Sequence, residues 1–103
     1  MKMLTGKQRA YLRSLANPID TILIVGKSGI GDDLIKQADD ALTARELIKG
    51  RVLETSPVSA REAADQIAGL VRAESVQVIG SRFVLYRRNE KDPKIVLPKQ
   101  GKK

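Results

Sequence analysis

Cysteine and histidine are both missing from the 103 residues. Without thiols, disulfides and thiolate metal sites are excluded. Without imidazole the chain lacks the usual general base near neutral pH and the commonest metal ligand. Aromatic rings are scarce: Tyr11, Phe83 and Tyr86 are the only ones. No apolar run is long enough to span a bilayer, and the opening MKMLTGKQR lacks the apolar core of a secretory signal. The expected location is therefore cytoplasmic, with no membrane partner. Acidic residues are absent from positions 1–19, which hold Lys2, Lys7, Arg9 and Arg13.

What is present is segregated positive charge. The net +7 resides in two basic ends: residues 20–81 carry seven basic groups against ten acidic ones, and residues 82–103 carry eight against two. A uniform surface would serve solubility equally well, so the segregation points to a polyanionic partner, or more plainly to a solvated basic tail. This length makes one compact domain with one core. It is placed at residues 1–98, with 99–103 as a flexible basic tail.

Thr5 caps a helix reaching about Ala16, with Leu4, Gln8, Tyr11, Leu12 and Leu15 as its inner face. Asn17-Pro18 ends it. Thr21 to Val25 is apolar on both faces, the pattern of a strand covered on both sides. Leu34, Ile35, Ala38, Ala41 and Leu42 mark an amphipathic helix with Asp32 and Asp33 in its first turn. Residues 46–54 alternate, with Ile48, Gly50 and Val52 on one face and Lys49 and Arg51 on a wet, basic one. Ser59 and Glu62 form a capping box for a third helix, with Ala60, Ala63, Ala64, Ile67, Leu70 and Val71 inward. Val76 to Ile79 and Phe83 to Tyr86 are the arms of a hairpin turning at Gly80-Ser81. The order α-β-α-β-α-β-β predicts an α/β domain with a mixed four-stranded sheet packed by helices. Pairings are expected to be parallel where a helix intervenes and antiparallel at the hairpin.

Residues 21–33, TILIVGKSGIGDD, contain the Gly-Lys-Ser that ends a phosphate-binding P-loop. That loop needs a glycine five residues before its Gly-Lys, where this chain has Thr21, inside the strand. The glycines at 26, 29 and 31 also reverse the dinucleotide spacing, so no nucleotide is expected. What remains is Gly26-Lys27-Ser28-Gly29, a Gly-x-x-Gly loop between strand and helix. Its glycines let a ligand approach the backbone, and its N–H groups, Lys27 and Ser28 offer contacts to phosphate, as in KH domains. A plain tight turn fits the same residues, and Asp32 and Asp33 would repel an anion unless they point away. With Asp39, Asp40 and Lys36 they read as a solvated helix face rather than a cation site. No nucleophile–base pair can be assembled. Base stacking needs exposed rings, and Phe83 and Tyr86 fall in the core, which favours backbone contact over base reading.

The segments LTGKQRAYLRSLA, ILIVGKSGI, ARELIKGRV, VQVIGSRFVLYR and KIVLP, in this order and spacing, resemble the YhbY family of bacterial RNA-binding proteins. These are stand-alone copies of the CRM domain (chloroplast RNA splicing and ribosome maturation). The resemblance covers about residues 3–98. It implies a fold like the C-terminal domain of translation initiation factor three and a KH-like loop on Gly26 to Gly29. It also implies association with precursors of the large ribosomal subunit. In plants the same domain occurs in group II intron splicing factors.

The expectation is a monomeric, non-enzymatic protein, without cofactor or metal, that binds structured ribosomal RNA and assists large-subunit assembly. Lys27 and the loop N–H groups would hold phosphates, and Lys7, Arg9 and Arg13 would extend the contact. Lys49, Arg51 and the Arg87-Arg88 pair would supply further phosphate contacts, and Arg9, Arg13, Arg82, Arg87 and Arg88 are inferred from charge. Two rivals stay open: a ribosome-associated protein-interaction module with little RNA contact, and a small enzyme using carboxylates.

Overall fold

The computed structural model describes residues 4–89, 91, 93 and 95; the basic tail read at 99–103 lies outside them. Helix α1 (Gly6–Ala16) leads into β1 (Thr21–Val25), α2 (Asp32–Arg45), β2 (Leu47–Val52), α3 (Ala60–Val71), β3 (Glu74–Ile79) and β4 (Arg82–Tyr86). Two helices start at reciprocal caps. Thr5 Oγ1 accepts from the Gln8 N–H while Gln8 Oε1 accepts from the Thr5 N–H, and Ser59 and Glu62 repeat the arrangement. Helix α2 follows Gly31 with no side-chain cap; Asp32 and Asp33 place negative charge at its positive end instead.

The sheet order is β1-β2-β4-β3. Strands β1 and β2 are parallel, and β4 lies antiparallel between β2 and β3. The expected parallel pairing across α3 does not form, because β4 occupies the place beside β2. Burial explains this. Residues Phe83 to Tyr86 are buried on both faces, whereas β3 has Val76 alone fully buried, so the strand with two apolar faces takes the interior.

Helices α2 and α3 cover one face, where Leu23, Val25, Ile48, Phe83 and Leu85 meet Ala38, Leu42, Ala64 and Ile67. Helix α1 covers part of the other, with Leu12 and Ala16 against Leu47, Val76, Val84 and Tyr86. Three expectations are corrected. Strand β1 is an edge strand covered on one face only, since α1 does not reach Ile24, which is 52% exposed. Tyr11 points outward because the buried stripe of α1 runs through Leu12 and Ala16. Leu70 is exposed because Ala68 takes the inward place on α3.

Two positions fix the packing. A Cβ at Gly50 would meet Cζ, Cε1 and Cε2 of Phe83, lying 2.6 Å from Cε1; the ring fills the space a side chain would need. Glu46, read from sequence as the start of a strand, is instead the C-cap of α2 at φ 66 and is fully buried. Its carboxylate accepts the N–H groups of Asn89 and Ile95, each at 2.7 Å, and its carbonyl accepts that of Arg87. Among the described residues no helix is long and apolar enough to cross a membrane.

Candidate nucleic-acid interface

Three connections meet at one end of the sheet: the loop after β1, the segment after β2 and the turn at Gly80-Ser81. The Leu53 N–H donates to the Val25 carbonyl at 2.9 Å, and the Val52 N–H to the Ser81 carbonyl at 2.7 Å, tying them together. Residues Gly26 to Gly29 form a tight turn closed by the Gly29 N–H on the Gly26 carbonyl at 2.9 Å. Gly29 is required by this turn: its φ is +70, and a Cβ there would sit 3.1 Å from Pro57 Cγ. Gly26 is different. A Cβ would make only an ordinary 3.7 Å contact with Leu53, so packing does not demand glycine, and its absence of side chain leaves the backbone open to close approach. Lys27 and Ser28 are exposed, and neither side chain has a partner among the described residues.

Beside this loop the face bearing α1 is open, because α1 covers only the half containing Leu47 and Tyr86. The register aligns Ile24, Arg51, Arg82 and Ile79 in one row across all four strands. The next row holds Lys49, Val84 and Gln77. Arg51 and Arg82 are both exposed and directly opposite one another, with no ion-pair partner among the described residues. Like charges so placed destabilise a sheet, and an anion between them removes the repulsion. A groove of about 450 Å³ lies between these rows and the end of α1, lined by Asn17, Lys49, Gln77, Ile79 and Arg82 among others. Lys49 Nζ donates to the Asn17 carbonyl at 3.3 Å.

The remaining candidates separate. Arg9 Nη1 donates to the carbonyls of Ser75 at 2.5 Å and Val76 at 3.3 Å, so it braces edge strand β3. Arg13, one turn further along the same side of α1, has no partner among the described residues. Lys7 projects from nearly the opposite side of α1. Arg87 is bound internally: Nη1 donates to Asp39 Oδ1 (2.6 Å) and the Val71 carbonyl (2.8 Å), and Nη2 to the Asp39 carbonyl (2.9 Å) and Thr43 Oγ1 (2.8 Å). Arg88 is exposed but lies about 20 Å along β4 from Arg82, at the far end of the sheet. Replacing Arg87 by Met is expected to lower stability by about 2 kcal/mol in a urea titration, since a clamp joining α2, α3 and β4 is lost. A change below about 0.5 kcal/mol would show the clamp to be idle.

Asp32 and Asp33 stand on α2, which packs against the other face of the sheet. No group of three or more acidic, His or Cys side chains among the described residues is arranged to hold a metal ion. The row itself is not legible in the sequence: Ile24 falls in a strand expected to be covered on both faces and Ile79 at the end of a hairpin arm, and only the strand order makes them flank two arginines.

Residues 4–87 match the CRS1 / YhbY (CRM) domain. The chain is 43% identical over 96 residues to the probable RNA-binding protein YqeI of Bacillus subtilis, covering 93% of this chain and all of that protein. It is 31% identical over 100 residues to an RNA-binding protein of Haemophilus influenzae, covering 97% of this chain and all of the relative. The solution structure of the hypothetical protein SAV1595 from Staphylococcus aureus superposes with a TM-score of 0.77 at 50% identity, over 93% of this chain and all of that one. A match across nearly the whole domain, joined to a shared fold, makes this chain a member of the CRS1/YhbY (CRM) domain family.

Proposed function

We propose that this protein binds structured ribosomal RNA through its phosphate backbone, in precursors of the large ribosomal subunit, and assists their assembly. The observation that carries the reading is the pair Arg51 and Arg82, opposed beside the glycine loop without a counterion among the described residues. Lys27, Lys49 and Arg13 extend the positive surface, and the loop N–H groups add donors without side-chain obstruction. Relatives named as RNA-binding proteins support the polyanion being RNA. The family resemblance supports the ribosomal target. The protein acts as a monomer in the cytoplasm, without cofactor or catalysis. Arg9 and Arg87 serve the fold, and Lys7 and Arg88 lie outside the contact.

The test is a salt titration of binding to protein-free ribosomal RNA, followed by fluorescence anisotropy. Six neutralised phosphates give a log–log slope of about −4 to −5. Changing Lys27 and Ser28 to Asp is expected to weaken binding at least about tenfold and flatten the slope by about one, with an unchanged melting curve. A slope near zero, or no binding without ribosomal proteins, would favour a protein-interaction module instead.

A further inference from the structure

The row that presents Arg51 and Arg82 is bounded on both sides by large apolar side chains that the described residues leave more than half exposed. Ile24 is 52% exposed and Ile79 62%. A duplex offers an outer rim of phosphates and gives such residues no apolar surface to cover. Unpaired nucleotides do, because each splayed base brings a flat face next to its phosphate. The alternation along the row, apolar–cationic–cationic–apolar, matches that chemistry. Asn17 and Gln77 line the adjoining groove, and an amide side chain can pair with a base edge through both its donor and its acceptor. The charge argues against other occupants. Lys49, Arg51 and Arg82 repel a second copy of the same face, and no carboxylate lies in these rows.

We propose that a short unpaired segment of RNA crosses the open half of the sheet, with bases against Ile24 and Ile79, phosphates on Arg51 and Arg82, and one base in the groove between Asn17 and Gln77. This rests on the RNA-binding reading above and narrows its ligand to a junction of paired and unpaired RNA. The loop at Gly26 holds the backbone as it leaves the sheet. A four-stranded sheet has room for about two or three bases. With isoleucine in place of aromatic rings, sequence preference is weak.

The experiment compares an unstructured RNA of about 12 nucleotides with a duplex of equal length, using wild type, the Ile24→Ser/Ile79→Ser variant and the Lys27→Asp/Ser28→Asp variant. Wild type is expected to bind the single strand about tenfold more tightly. The isoleucine variant should lose about five- to tenfold on the single strand and less than twofold on the duplex, while the loop variant weakens both. Zero-length photocrosslinks from 4-thiouridine should map to the peptides containing Ile24 and Ile79. Equal loss on both RNAs, or no loss from the isoleucine variant, overturns the platform while leaving phosphate binding intact. Failure of wild type to bind either short RNA, with ribosomal RNA still bound, overturns the platform alone; failure on ribosomal RNA as well overturns both readings. A dimer in sedimentation that the isoleucine variant dissolves assigns the face to a second copy.

Discussion

Gly50→Ala is expected to destabilise the domain by at least about 3 kcal/mol, a large part of the total stability of a small domain. The added methyl enters the space of the Phe83 ring, which is 1% exposed and held in the main core with Ile48, Leu85 and Ile67. Neither party can move far: β2 is hydrogen-bonded to β1 on one side and β4 on the other, and the ring is enclosed by the α2–α3 layer. Shrinking the ring provides the control. Phe83→Leu alone should cost about 1–2 kcal/mol, and the double variant Gly50→Ala/Phe83→Leu should be more stable than Gly50→Ala. Urea titrations of wild type and the three variants give the coupling energy directly. A Gly50→Ala protein within 0.5 kcal/mol of wild type would mean that the ring has somewhere else to go.

Glu46→Ala is expected to cost about 3 kcal/mol, because a buried carboxylate accepting two backbone N–H groups is replaced by nothing. The loss is local in its signature. The amides of Asn89 and Ile95, which donate to Glu46 Oε2 and Oε1 at 2.7 Å, should lose their protection from hydrogen exchange. The amide of Leu53, bonded to the Val25 carbonyl at the other end of the sheet, should exchange no faster than global unfolding allows. Glu46→Gln retains one good acceptor and should fall between the two. Uniform loss of protection across the sheet would instead make Glu46 part of the global core. Ile95 packs with Leu4, Leu15 and Ile19 around the α1 cluster, so the clamp also completes that smaller core.

Local features of the fold were legible because their causes are local. Thr5 and Ser59 with their partners three residues on mark helix starts, and Gly80 at φ +57 marks the hairpin turn. Strand order was not legible, since pairing β4 between β2 and β3 depends on residues far apart in the chain. The same limit governs the candidate site. In sequence Arg51, Arg82 and Arg87 are equivalent basic residues beside apolar strands. What distinguishes Arg87 is Asp39, 48 positions away and brought within 2.6 Å by α2. Arg9 is likewise removed from the exposed set by carbonyls 66 and 67 positions on. The glycine loop was found by spacing, whereas the isoleucines beside the arginines needed the register of four strands.

The sheet biases charge as well as dividing two cores. Behind it, the exposed Asp32, Asp33, Asp39, Asp40, Glu62 and Asp65 of α2 and α3 outnumber Lys36, Arg45 and Arg61; in front stand Lys49, Arg51 and Arg82. A molecule built this way is a dipole as well as a cation, and in the field of a polyanion it experiences a torque before it makes any contact. On the proposed RNA-binding reading, the acidic residues beside the glycine loop are ballast: they turn the helical layer away and bring the open half of the sheet round to the front. Orientation on approach is therefore a property of the fold, set by which face each helix covers.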